Sequence, residues 1–192
     1  MTRHKSSSQG FTLVELLVGA TLSAAVMAAV LSSYIYLGRG LNRLVNQQTL
    51  ETESRRTLDT FSKDVQLATG IDTSATLSAS TVRLIIPSAT GAATTVTYTF
   101  TNDAGGNGTL VRTPSVGNAQ TLLRNIVNNG FTLRYYDASG YEYTSYTDYL
   151  PGIKQLALEF STQTGVAANG TRTLVQKVAS SRVLLRNRSL LP

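Results

Sequence analysis

Between Glu15 and Arg39 the chain carries no charged side chain. The 22 residues 16–37 are almost wholly apolar or small, and at about 1.5 Å of rise per residue a helix of that length covers the ~30 Å hydrocarbon core of a bilayer. A membrane-spanning helix is therefore the first expectation. Glu15 stands just inside its start, where an acid costs less than the roughly 2.5–3.5 kcal/mol of a mid-membrane position yet still needs a partner.

Upstream lies a short basic tract without an acid, Met1-Thr2-Arg3-His4-Lys5-Ser6-Ser7-Ser8-Gln9-Gly10. It ends at a glycine, and Gly10-Phe11-Thr12-Leu13-Val14-Glu15-Leu16-Leu17 follows on into the apolar run. Across residues 5–37 the chain resembles the type IV pilin and type II secretion pseudopilin class. The resemblance implies cleavage between Gly10 and Phe11 by prepilin peptidase, N-methylation of Phe11, and a role for Glu15 in assembly. Its implied partners are that peptidase, other pilins or pseudopilins, the membrane through residues 11–37, and an inner-membrane assembly platform.

Elementary electrostatics agrees with that reading. The cut creates an α-ammonium at Phe11, and in a bundle of such helices a Glu15 carboxylate neutralises it; two isolated charges in lipid become one pair. Two alternatives share the apolar run. An ordinary signal peptide has a 7–15-residue apolar region and would be cut near the small residues of 24–29, whereas an unprocessed anchor would keep Met1.

Composition limits the rest. The chain has 192 residues, 42% hydrophobic and 15% charged, enough for a membrane helix plus one modest domain. Loss of residues 1–10 removes Arg3, Lys5 and the single histidine, so 15 basic residues face 11 acidic ones and the formal charge falls from +6 to +4. There is no cysteine. Without cysteine or histidine the processed chain lacks Ser-His and Cys-His nucleophile systems and the usual zinc ligands. No glycine-rich phosphate loop precedes a helix, so neither a catalytic residue nor a cofactor is expected.

The resemblance implies the segmentation: a leader at 1–10, a transmembrane or filament-core helix at 11–38, and a periplasmic domain at 39–192. Small residues such as Gly19, Ser23, Ala24 and Ala28 in the span permit close helix approach. Leu41, Leu44, Val45, Leu58, Phe61, Val65 and Ala68 then recur at helical spacing among charged residues, giving an amphipathic helical half over 41–69. That helix is expected to end near Leu67, with Gly70 as a C′ glycine and Gly38 and Gly40 as places where it bends or melts.

From Thr81 the period changes towards two, predicting an antiparallel sheet packed on the amphipathic half: an α+β, pilin-like fold. Strands are expected at 81–86, 94–101 and 109–113, the last two forming a hairpin around Asn102-Asp103-Ala104-Gly105-Gly106-Asn107-Gly108. A second hairpin is expected from 122–127 and 131–136 around Asn128-Asn129-Gly130, then a turn at Asp137-Ala138-Ser139-Gly140, and strands at 153–160 and 174–185. The 55–71 segment is similar to the helix end of PilW-like minor pilins and the pseudopilin J subunit, which points to a minor subunit.

Three surface features invite a binding reading. The 102–108 turn has oxygen ligands, but Pro114 occupies the place where a calcium loop needs its final acid, so a plain turn is expected and no metal. Six of the nine tyrosines fall within 135–149, as a cross-strand aromatic ladder or an exposed adhesive ribbon, the ladder being preferred. Arg172, Lys177, Arg182, Arg186 and Arg188 follow the last acid, Glu159. That basic stripe is read as solvation of a strand face or contact with a neighbouring subunit, with DNA phosphates as the rival that would make this a DNA-uptake pilin.

Overall fold

The computed structural model describes residues 10–72, 77–87, 93–103, 107–145, 152–163, 175–179 and 182–186. One helix, α1, spans Leu13–Leu67. The chain divides into two compact units, one ending at Val45 and one beginning at Asn46.

In the first unit α1 is uncovered along its length: Leu13, Leu16, Leu22, Met27, Leu31, Ile35 and Leu37 are all exposed. The helix is long and apolar enough to cross a membrane. It runs unbroken through Gly38 and Gly40, so the expected melting there does not occur. A glycine costs a helix only about 1 kcal/mol relative to alanine, less than the loss of a turn of backbone hydrogen bonds.

The second unit joins the end of α1 to a nine-stranded sheet among the described residues, antiparallel at every pairing. Its strands are β1 (Gly70–Ile71), β2 (Thr81–Pro87), β3 (Ala93–Asn102), β4 (Asn107–Pro114), β5 (Gln120–Tyr136), β6 (Glu142–Tyr143), β7 (Gln155–Gln163), β8 (Val175–Ala179) and β9 (Val183–Leu184). The order is β1-β2-β3-β4-β5-β7-β8, with β6 beside β5 and β9 beside β7. Alternation places Val96 and Tyr98 of β3 in the core with Leu84 and Leu110 of the flanking strands.

α1 closes this core with the stripe Leu50, Ser54, Thr57, Phe61, Asp64 and Val65, which recur about once per helical turn, and Ala68 just past its end is buried too. Phe61 meets Tyr98 edge to face at 5.3 Å. The Thr57 hydroxyl donates to the Leu122 carbonyl at 3.0 Å, tying helix to sheet. Leu41 and Leu44, expected on the same stripe, are 61% and 57% exposed; the covered face begins a full turn later, at Leu50.

Three expectations are corrected. Gly70 is not a C′ glycine. The Thr69 N–H donates to the Ile85 carbonyl and Gly70 pairs with Ile85, so the helix ends because its backbone is taken up by the sheet. The hairpin around Asn128-Asn129-Gly130 is also absent, and 120–136 form one strand. Between the pairs Ile126↔Thr162 and Phe131↔Phe160, β5 advances five residues and β7 two, so three residues bulge out. Asn129 takes φ 57°, and a Cβ on Gly130 would lie 2.8 Å from the Val127 carbonyl. Left-handed Asn and close-packed Gly serve a bulge as well as a turn. Finally, the strand expected at 174–185 is two strands, β8 and β9, on one edge of β7.

The expected hairpin of β3 and β4 forms, with Asn102 opposite Gly108. A Cβ on Gly108 would collide with the Phe100 ring, which itself stacks on Phe131 at 4.6 Å.

Candidate functional site

Residues 10–15 start α1 with a local device. Thr12 precedes the first helical residue, Leu13, and Glu15 is the third residue of the helix. The Glu15 N–H donates to Thr12 Oγ1 at 3.3 Å, while the Thr12 N–H and hydroxyl both donate to Glu15 Oε2 at 2.9 Å. This is a capping box: two amides that have no partner inside the helix are satisfied by side chains. Its pattern, Thr-x-x-Glu before an apolar run, stood in the sequence, and Thr12 is the residue that sequence reading overlooked.

The arrangement presents Glu15 in a defined pose. Every described hydrogen bond to its carboxylate falls on Oε2, which leaves Oε1 for a second donor. Gly10 and Phe11 lie outside the helix, with Phe11 88% exposed. An exposed glycine–aromatic bond just before a helix is accessible backbone, as a protease substrate must be.

The basic stripe is only partly described. Arg172 and Arg188 lie outside the described residues, and Lys177 is described by its backbone in β8, opposite Ser161. Arg182 lies with its guanidinium 4.0 Å above the Tyr136 ring and donates to the Gly140 carbonyl at 3.3 Å. Arg186 is exposed. Arg182, Arg186, Ser62 and Gln66 line one shallow cleft beside α1.

Among the described residues Tyr141 alone of the 135–149 tyrosines is strongly exposed, at 69%. Tyr135 is buried and donates to the Ser78 and Thr81 carbonyls at 2.9 and 3.2 Å. Tyr136 is buried as well, and Tyr143 stands opposite Tyr135 across β5 and β6 while meeting Tyr141 edge to face. Tyr135 and Tyr143 thus form one cross-strand pair of the expected ladder; Tyr146 and Tyr149 lie outside the described residues. In the 102–108 turn, Asp103 accepts from the Asn107 N–H at 2.8 Å and so closes the hairpin itself. No group of three or more metal-ligating side chains occurs among the described residues.

One polar cluster was not anticipated. Asp64 of α1 accepts from Arg112 Nε at 2.6 Å and Nη2 at 3.2 Å, and from the Tyr98 hydroxyl at 2.7 Å. Burial, then the Asp64 charge, raises the Tyr98 pKa well above the ordinary tyrosine value, and the hydrogen bond to Asp64 raises that of Arg112. An acid on the stripe Phe61, Asp64, Val65, Ala68 was the available signal, since a carboxylate on a core-facing position needs a cation. The cluster pins the helix to β3 and β4 and has no substrate-sized opening described beside it.

The model of the prokaryotic N-terminal methylation motif matches residues 5–31. The chain thus carries the N-terminal motif of the type IV pilin and pseudopilin class. No curated protein and no solved structure matches it.

Proposed function

We propose that this chain is a minor pilin or pseudopilin, a structural subunit that helps to initiate or build a type IV pilus or related filament. The observation that carries the reading is the Gly10-Phe11 bond and capped Glu15 at the head of an apolar helix that its own chain leaves bare. Prepilin peptidase cuts after Gly10, Phe11 is methylated, and residues 11–37 hold the subunit in the inner membrane until they pack among other pilin-class helices. The domain then lies in the periplasm or on the filament, and an assembly platform does the mechanical work. The activity is structural, as in the pilin class generally, and involves neither cofactor nor catalysis.

Glu15 has a physical role in this scheme. Thr12 holds Oε2, so Oε1 is oriented to accept from the Phe11 ammonium of an adjacent subunit, and the ion pair sets axial register in a medium where an unpaired charge is costly. Mass spectrometry of native material is expected to find a chain beginning at Phe11 with one added methyl group. Glu15→Ala is expected to reduce incorporation into filaments at least tenfold while the domain keeps its thermal stability, a loss of the size expected for an unpaired buried charge. An intact Met1, or wild-type incorporation of Glu15→Ala, would overturn the reading. Secretion and pilus roles differ in the machine served: loss of secreted enzymes on deletion marks the pseudopilin, and loss of surface fibres marks the pilin.

A further inference from the structure

The cleft lined by Ser62, Gln66, Arg182, Val183, Leu184 and Arg186 has two arginines and two neutral polar side chains in its lining, and no carboxylate. Asp59, three residues before Ser62 in the chain, and Asp137, in the turn whose Gly140 carbonyl Arg182 reaches, are committed elsewhere. Asp59 of α1 holds Lys63 at 2.7 Å, and Asp137 accepts from the Ser139 hydroxyl and the Tyr141 N–H within its own turn. Arg182 is fixed in place by the Tyr136 ring and the Gly140 carbonyl, so little side-chain entropy remains to be lost when it binds. Gln66 Nε2 donates to Ser62 Oγ at 3.2 Å, which leaves the second amide hydrogen as a further donor. Arg186 has no ion-pair partner among the described residues.

We propose that this cleft binds a single carboxylate, an aspartate or glutamate side chain presented by another protein chain. Planar guanidinium forks match a carboxylate in two-point geometry, and the neutral wall supplies amide and hydroxyl groups without adding charge. Duplex DNA suits the site less well. It presents about one negative charge per 1.7 Å of axis and needs a row of cations, whereas the described lining of this cleft holds two arginines. That the partner is a neighbouring filament subunit rests on the function proposed above; the binding chemistry does not.

The test uses the full chain in detergent. A fluorescent, end-capped Gly-Glu-Gly-Glu-Gly-Glu peptide and a fluorescent 12-base-pair duplex are titrated separately by anisotropy. The peptide is expected to bind and to lose about tenfold in affinity on Arg186→Gln, the scale of one charged hydrogen-bonding partner. Gln66→Glu is expected to abolish binding while both arginines remain, because it places a competing carboxylate in the cleft. Lys63→Gln, which removes a cation already paired outside the cleft lining, should change little. Both cleft residues are exposed, so unfolding temperatures should hold. Unchanged peptide affinity in Arg186→Gln and Gln66→Glu overturns the proposal, as does duplex DNA binding more tightly than the peptide through the same arginines. Neither result bears on the mature N-terminus or on Glu15.

Discussion

α1 is one unbroken helix with two different surroundings. Residues of 13–45 expose large apolar side chains all around, whereas from Leu50 onward a single stripe is buried by the sheet of the same chain. The second region is solved largely internally: its apolar stripe packs on the sheet, and of its core-facing polar groups Thr57 and Asp64 find partners while the Ser54 hydroxyl does not. The first is not solved at all within the chain. In the function proposed above its partners are lipid and other helices, so substitutions there should register in insertion and assembly, and substitutions beyond Leu50 should register in folding.

Phe61→Ala and Leu22→Ala break that comparison most directly. Removing the buried Phe61 ring should cost the domain about 3–5 kcal/mol, read as a large fall in unfolding temperature. Leu22→Ala should leave the domain's unfolding unchanged, and equal effects would mean that the two regions are not separable.

The Asp64 cluster sharpens the comparison. Asp64→Ala strands Arg112 and Tyr98 in a mostly buried site and should cost about 3 kcal/mol. The Tyr98 hydroxyl adds a pH signature. Its folded pKa is raised above the ordinary value of 10, so the stability linked to it is complete below that value and declines as pH rises past it. Alkaline denaturation followed by circular dichroism should show that decline, and Tyr98→Phe should flatten it.

The smallest expected effect is at the other end of α1. Thr12→Ala removes the two contacts made by the hydroxyl and keeps the backbone N–H bond to Glu15; it should cost the start of the helix about 1 kcal/mol, visible as faster amide exchange at residues 13–16. The domain's unfolding temperature should not move. A shift there would show that the cap supports more than the first turn.

Much of this molecule was legible residue by residue. Uninterrupted apolarity, then a stripe at helical spacing, then alternation broken by turns rich in Asn, Asp and Gly, marked out helix, spine and sheet with nearly the right limits. The 102–108 and 137–140 turns were read correctly because each closes locally through its own aspartate. Asn128-Asn129-Gly130 was misread because the same backbone preferences satisfy a turn and a bulge, and only β7, lying alongside, keeps β5 extended. The C-terminal strand looked continuous for the same reason: whether a strand breaks depends on the partner it pairs with.

Residues 10–37 needed nothing beyond the chain itself, since a capping box, an exposed Gly10-Phe11 bond and an apolar run are properties of neighbours along the backbone. Pairing Asp64 with Arg112, stacking Arg182 on Tyr136, and setting Arg182 and Arg186 across from Gln66 required folding, because those groups are 46 or more residues apart in sequence. Local geometry is written in short-range order, and long-range juxtaposition depends on how the sheet closes against its helix.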